Sequence, residues 1–111
     1  MTVRGSKYHA KKTVVDGIQF DSTKEAKRYE KLRALENAGK IQGLRLQVPF
    51  ELVPSFECEG VKYREMKYVA DFVYVRDGKV VVEDCKGFKT PEYKLKKKLM
   101  AYINHINIEE S

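Results

Sequence analysis

Apolar and polar positions along this chain alternate in some stretches and recur at helical spacing in others, and the pattern outlines eight elements. Thr13 to Phe20 contains short apolar stretches around Asp16-Gly17, a pair suited to the left-handed backbone of a two-residue turn, so a small β-hairpin opens the fold. Ser22 followed three residues later by Glu25 fits a capping box. Ala26, Tyr29, Leu32 and Leu35 then recur at helical spacing until Gly39, which suits the residue just past a helix end. Leu46, Val48, Phe50 and Leu52 alternate with polar or proline positions, predicting a strand over 45–53 that Pro49 confines to a sheet edge or a bulge and Pro54 closes. Residues 55–66 are mixed and read as a loop or an excursion of the sheet.

Two β-branched and aromatic runs, 67–76 and 79–86, flank Asp77-Gly78 and predict a second tight hairpin. Thr90-Pro91 supplies an N-cap and an N1 proline for a second helix. Its apolar stripe is Leu95, Leu99 and Tyr102, flanked by Met100 and Ile103. Residues 106–109 are expected to form a last short strand. The order ββαβββαβ describes one α+β domain, sandwich-like, with a mixed sheet flanked by helices.

At 111 residues the chain has room for one such domain, which the pattern assigns to 13–111, preceded by a basic arm over 1–12. The arm lacks the apolar segment of a secretory leader, and no apolar run approaches the ~18 residues of a membrane span, so the expected location is the cytoplasm. Cys58 and Cys85 lie far apart with no metal-ligand spacing, and the expectation is two free thiols. Lys and Arg exceed Asp and Glu by 22 to 16. The excess gathers at Lys7 to Lys12, Lys24 to Arg33 and Lys94 to Lys98, which suits a polyanionic partner and equally suits solvated helix faces.

Candidate chemistry arises from the second hairpin. If Asp77-Gly78 is a two-residue turn, Arg76 faces Lys79, and counting back along both strands sets Asp71 directly opposite Asp84. Facing side chains have Cβ atoms roughly 4.5–5.5 Å apart, so two carboxylates there repel and call for a cation or a proton. Alternation puts Val73, Val75, Val80 and Val82 on the same face as Asp71, Asp84 and Lys86, with the valines as core and the charges at its edge. One lysine balances only one of the two acids, although a simple buried salt bridge is the plainer reading. Glu25 has two readings as well. It is the acidic half of a capping box, yet it lies within about 20° of Leu32 around the helix and so points toward the sheet. Carboxylates without histidine neighbours suit Mg²⁺, with Mn²⁺ able to substitute.

In these residues the chain resembles the PD-(D/E)XK nuclease superfamily, with Asp71 as the strand-end acid and Asp84-Cys85-Lys86 as the acid-x-lysine motif. Within it the chain is similar to small phage-encoded proteins grouped with Holliday-junction resolvase-like endonucleases, through DGIQFDSTKEAKRY, GKIQGLRLQVPFEL, YVADFVY and VEDCKGFKTPEYKLKKK. The resemblance implies a restriction-endonuclease-like fold and metal-dependent cleavage of DNA, including branched DNA, in phage recombination or packaging within the host cytoplasm. It also implies a homodimer. Glu25, Asp71, Asp84 and the Cys85 carbonyl would be the metal ligands, Lys86 the catalytic lysine and Gln47 a supporting residue. Lys89, Lys94 and Lys97 would bind DNA phosphates. The superfamily's proline is replaced by Ala70, and Glu83 offers a rival frame for the acid, although alternation sets it on the face opposite Asp71. The alternative is a catalytically silent DNA-binding or assembly module on the same fold. A structural adaptor would leave the facing aspartates unexplained.

Overall fold

The structure, a computed structural model, describes residues 12–85 and 89–111. Most of the basic arm and Lys86 lie outside the described residues. Strands β1 (Thr13–Val15) and β2 (Ile18–Phe20) form the expected hairpin, with Asp16 and Gly17 both at positive φ in the turn. The Tyr29 hydroxyl donates to Asp16 Oδ2 at 3.0 Å and ties this turn to helix α1 (Thr23–Asn37). Ser22 caps α1 by accepting the Glu25 N–H at 3.1 Å. At the other end Gly39, at φ +77°, lets the Lys40 N–H reach the Leu35 carbonyl at 2.9 Å and its own N–H the Glu36 carbonyl at 3.0 Å, a Schellman closure.

Strand β3 (Gln42–Val53) begins three residues earlier than its alternation suggests and lies at the edge of a four-stranded sheet, the position to which a proline such as Pro49 is confined. Beyond it β4 (Phe56–Cys58) and β5 (Val61–Tyr63) form a separate two-stranded hairpin, which resolves 55–66 as an excursion. Strands β6 (Met66–Arg76) and β7 (Lys79–Asp84) pair in the expected register, with Arg76 opposite Lys79 and Phe72 opposite Glu83. Helix α2 (Pro91–Asn104) is capped by Thr90, and β8 (Glu109–Glu110) then pairs parallel to β7. The sheet order β3-β6-β7-β8 is therefore mixed, and the fold is α+β.

One buried cluster, including Phe20, Leu32, Phe72, Tyr74 and Val81, lies under α1. A second, including Tyr68, Ala70, Val73, Val82 and Met100, lies under α2. Side chains of one parity change cluster part-way along two paired strands. Leu46 and Phe72 belong with α1, whereas Val48 and Ala70, the next pair, belong with α2. Between them Gln47 adopts φ +52°, a left-handed conformation that interrupts strand alternation at the level of Asp71.

Five expectations need correction. The element order is ββαβββββαβ rather than ββαβββαβ, because residues 55–66 form a hairpin of their own. Val80 is 61% exposed and Val75 half-buried, because both lie toward the open tip of the hairpin; only Val73 and Val82 of the four valines are core. Helix α2 turns Tyr93 and Met100 inward, while Leu95, Tyr102 and Ile103 are exposed and Leu99 is half-buried, so the inward face is narrower and rotated from the expected stripe. The last strand occupies 109–110 rather than 106–109, since Ile106 and Ile108 serve the α2 cluster as side chains outside any ladder. The strand expected over 79–86 ends at Asp84.

Glu83, 1% exposed, faces α1 and is fully engaged. Arg28 Nη2 donates to Oε1 at 3.0 Å and its Nε to Oε2, the Tyr74 hydroxyl donates at 2.6 Å, and the Ser111 hydroxyl at 2.7 Å. Burial alone would raise this carboxyl, but the hydrogen bonds from Arg28, Tyr74 and Ser111 hold it below its ordinary value. Replacing Arg28 by Met should therefore strand a buried charge and cost roughly 3 kcal/mol in urea unfolding at pH 7. A carboxyl lowered by folding contributes stability above its unfolded pKa and loses it as pH falls through the folded value. The wild-type advantage should accordingly fade on acidification below about pH 4.5; a loss under 1 kcal/mol at pH 7 would show that the pair is not needed.

Candidate active site

The antiparallel ladder between β6 and β7 ends at Phe72 and Glu83, and the next position on each strand is an aspartate. Here the backbones part. The Cys85 N–H donates to Asp71 Oδ2 at 2.8 Å, while the Asp84 carbonyl accepts from the Ser111 N–H at 3.0 Å. Asp84 is 1% exposed and its Oδ2 accepts the Tyr68 hydroxyl at 2.7 Å. Tyr68 could not be identified by strict alternation, which assigns it to the opposite face; the change of side within β6 between Ala70 and Phe72 brings it to this one. Burial, and then the bond to Asp84, raise its phenol far above the ordinary range, so it remains a proton donor.

Glu25 reaches the same region from the first turn of α1. Only one half of the expected capping box forms. Ser22 accepts the Glu25 N–H, but the Glu25 side chain turns inward, is 7% exposed, and accepts from Gln47 Nε2 at 3.1 Å. The same amide nitrogen lies 3.3 Å from Asp71 Oδ1, so Gln47 bridges two carboxylates. Its left-handed backbone, uncommon for a residue with a Cβ, is compensated at least in part by this double contact. Burial, then the charges of Asp71 and Asp21, a hydrogen bond shared with Asp71 and the charge of Asp84 raise the Glu25 carboxyl from 4.5 to about 7. Among the described residues no cation pairs with Glu25 or Asp71.

Glu25, Gln47 and Asp71 are thus in contact, and Asp84 lies within electrostatic range of Glu25, at the same end of the hairpin. Lys86 lies outside the described residues. Glu83, the rival acid, is committed to Arg28 on the other face. Burial raises the Cys85 thiol, whose Sγ lies 3.0 Å from Ser111 Oγ, so any contribution of this residue to a hard cation would come from its backbone. Among the described residues no three His, Cys, Asp or Glu side chains already converge closely enough to hold one ion, with Asp84 turned to Tyr68 while Glu25 and Asp71 are bridged by Gln47. The donors available are nonetheless all oxygens, the set that Mg²⁺ or Mn²⁺ takes.

Of the three candidate phosphate ligands, Lys94 is exposed. Lys89 Nζ and Lys97 Nζ instead both reach Glu110, at 2.8 and 3.0 Å. The Tyr93 hydroxyl also donates to Glu110, at 2.7 Å. No helix among the described residues is long and apolar enough to cross a membrane.

Fold and site together define a small α+β protein with an acidic cluster at the end of its central hairpin. The chain belongs to the family described as "Protein of unknown function (DUF1064)", whose profile matches residues 5–109. No curated protein and no solved structure matches the chain.

A carboxyl raised by folding destabilises the native state at higher pH, because the folded chain holds its proton longer than the unfolded one. In metal-free buffer, stability should fall as pH rises from about 4.5 and level off above about 7, by roughly 3 kcal/mol at most. Glu25→Gln should lack this fall and exceed wild type in stability at pH 8. Urea unfolding of both proteins across this range provides the check, and parallel curves would contradict the buried, unneutralised state of Glu25.

Proposed function

We propose that this protein is a metal-dependent DNA endonuclease on a restriction-endonuclease-like fold, acting with Mg²⁺, or Mn²⁺ in its place. The observation that carries the reading is the gathering of Glu25, Asp71 and Asp84 at one strand end, with no cation on Glu25 or Asp71 among the described residues. The order of elements supports it too: an acid on the first helix, an acid on β6, the acid-x-lysine segment at the end of β7, and then a lysine-rich helix.

Glu25, Asp71, Asp84 and the Cys85 carbonyl would hold the ion. When bound, it supplies charge to a phosphoryl oxygen and makes water a better nucleophile. The protein's own groups handle position and charge. Gln47 fixes Glu25 and Asp71 through one amide, limiting their rotation. Tyr68 holds Asp84 by its Oδ2, and its high pKa keeps that donor in place through neutral pH. Lys86 would orient the attacking water and stabilise charge developing on the phosphate, and Lys89, Lys94 and Lys97 would hold neighbouring phosphates. Paired cuts on branched DNA would require a homodimer. A catalytically silent DNA-binding module is the second reading, favoured by the bond from Tyr68 to Asp84, which engages an oxygen that an ion would use.

Asp84→Asn should lower cleavage of labelled four-way, flap and linear duplexes in Mg²⁺ by roughly 10³-fold or more, and still bind them in chelator. Lys86→Ala should also lose cleavage. Wild type that binds these substrates but cuts none with either metal would favour the silent module, and an active Asp84→Asn would remove Asp84 from the catalytic set.

A further inference from the structure

Glu110 stands where three donors converge. Lys89, Lys97 and the Tyr93 hydroxyl come from α2 and the segment just before it, and all three end on this one carboxylate of β8. The bonds hold the Glu110 carboxyl at about 2, well below the usual range. Its side chain is 22% exposed, against 50% for Lys89 and 42% for Lys97, so the group lies at the surface and open to exchange. Two ammonium groups and a phenol converging on paired oxygens form the arrangement that also receives a phosphodiester oxygen.

The position is as telling as the chemistry. Glu110 is the strand partner of Asp84, and the Tyr93 phenol, raised first by burial and then by its bond to Glu110, also feels the charges of Asp84 and Asp71. The donor cluster is thus beside the acidic site. We propose that Lys89, Lys97 and Tyr93 form a phosphate-binding subsite that Glu110 fills in the free protein and that the nucleic-acid backbone takes over on binding. This deepens the nuclease reading and rests on it. Exposed ion pairs are weak, so a polyanion with several phosphates can displace the carboxylate, but the displaced charge then opposes the incoming phosphate. Glu110 therefore lowers DNA affinity, a cost that a DNA of suitable shape can offset through its other contacts.

The test is binding of a labelled duplex in chelator, where cleavage cannot intervene. Glu110→Gln should bind about fivefold more tightly than wild type. Glu109→Gln removes the same charge one residue away, from an exposed pair with Arg76, and should change affinity much less. Lys89→Ala/Lys97→Ala should weaken binding, and adding Glu110→Gln to it should recover little. Should Glu110→Gln fail to melt cooperatively, Glu110→Asp, which keeps the charge but withdraws it from the three donors, should also tighten binding. Equal effects of the two glutamine variants, or a full gain without the lysines, would overturn the subsite. Binding by wild type with no response at Glu110 contradicts the subsite alone, whereas no binding by any variant contradicts the nuclease reading beneath it.

Discussion

Consecutive acids on a strand must face opposite ways, so Glu83 and Asp84 carry negative charge into both faces of the sheet at one level. A carboxylate removed from water needs a cation, a proton or several donors. On the α1 face that need is met within the chain, since Arg28, Tyr74 and Ser111 surround Glu83. At the strand end the charge accumulates instead. Asp84 takes a bond from Tyr68, Asp71 takes one from the Cys85 backbone, and Glu25 is brought against Asp71 with only an amide between them. The first arrangement supports the fold, and in the second Glu25 and Asp71 meet no cation among the described residues, a demand for positive charge that a ligand can meet.

Gln47 is the hinge of that second arrangement. Its left-handed backbone interrupts β3 at the level of Asp71, where β6 also changes sides, Tyr68 and Ala70 lying on the α2 side while Phe72 and Tyr74 stay with α1. Without that change of side, Tyr68 would point away from Asp84. The same residue that bends the strand also bridges Glu25 and Asp71, which couples local backbone cost to the geometry of the acids.

Features set by local chemistry were legible in the sequence. Asp-Gly pairs marked both expected hairpins, Ser22 and Gly39 marked the ends of α1, and the expected register holds as far as Phe72 opposite Glu83; the direct facing of Asp71 and Asp84 does not form, because the ladder ends one position earlier and Asp84 pairs with Glu110 instead. What failed depended on tertiary context. No sequence rule marks a change of side within a strand, so Tyr68 was invisible as a partner of Asp84. The inward face of α2 departs from its apolar stripe because Leu95, Tyr102 and Ile103 are apolar yet uncovered, while Tyr93 and Met100 meet the sheet. Lys89 and Lys97 could be read as cations but not as partners of Glu110, which reaches them only because β8 returns beside β7.

If the acidic cluster receives a divalent cation, as proposed, the Glu25 carboxyl, raised by burial and by Asp71 to about 7, gives that binding a direct signature. A ligand carboxyl must lose its proton to the ion, so binding at pH 7 should release protons. Calorimetric titration of Mn²⁺ into the metal-free protein, in two buffers of different ionisation enthalpy, measures both affinity and proton release. Binding should be saturable, with a release that disappears in Glu25→Gln, and should be lost when Asp71→Asn and Asp84→Asn are combined. No saturable binding, or binding unchanged by loss of both aspartates, would rule out a cation site in this cluster.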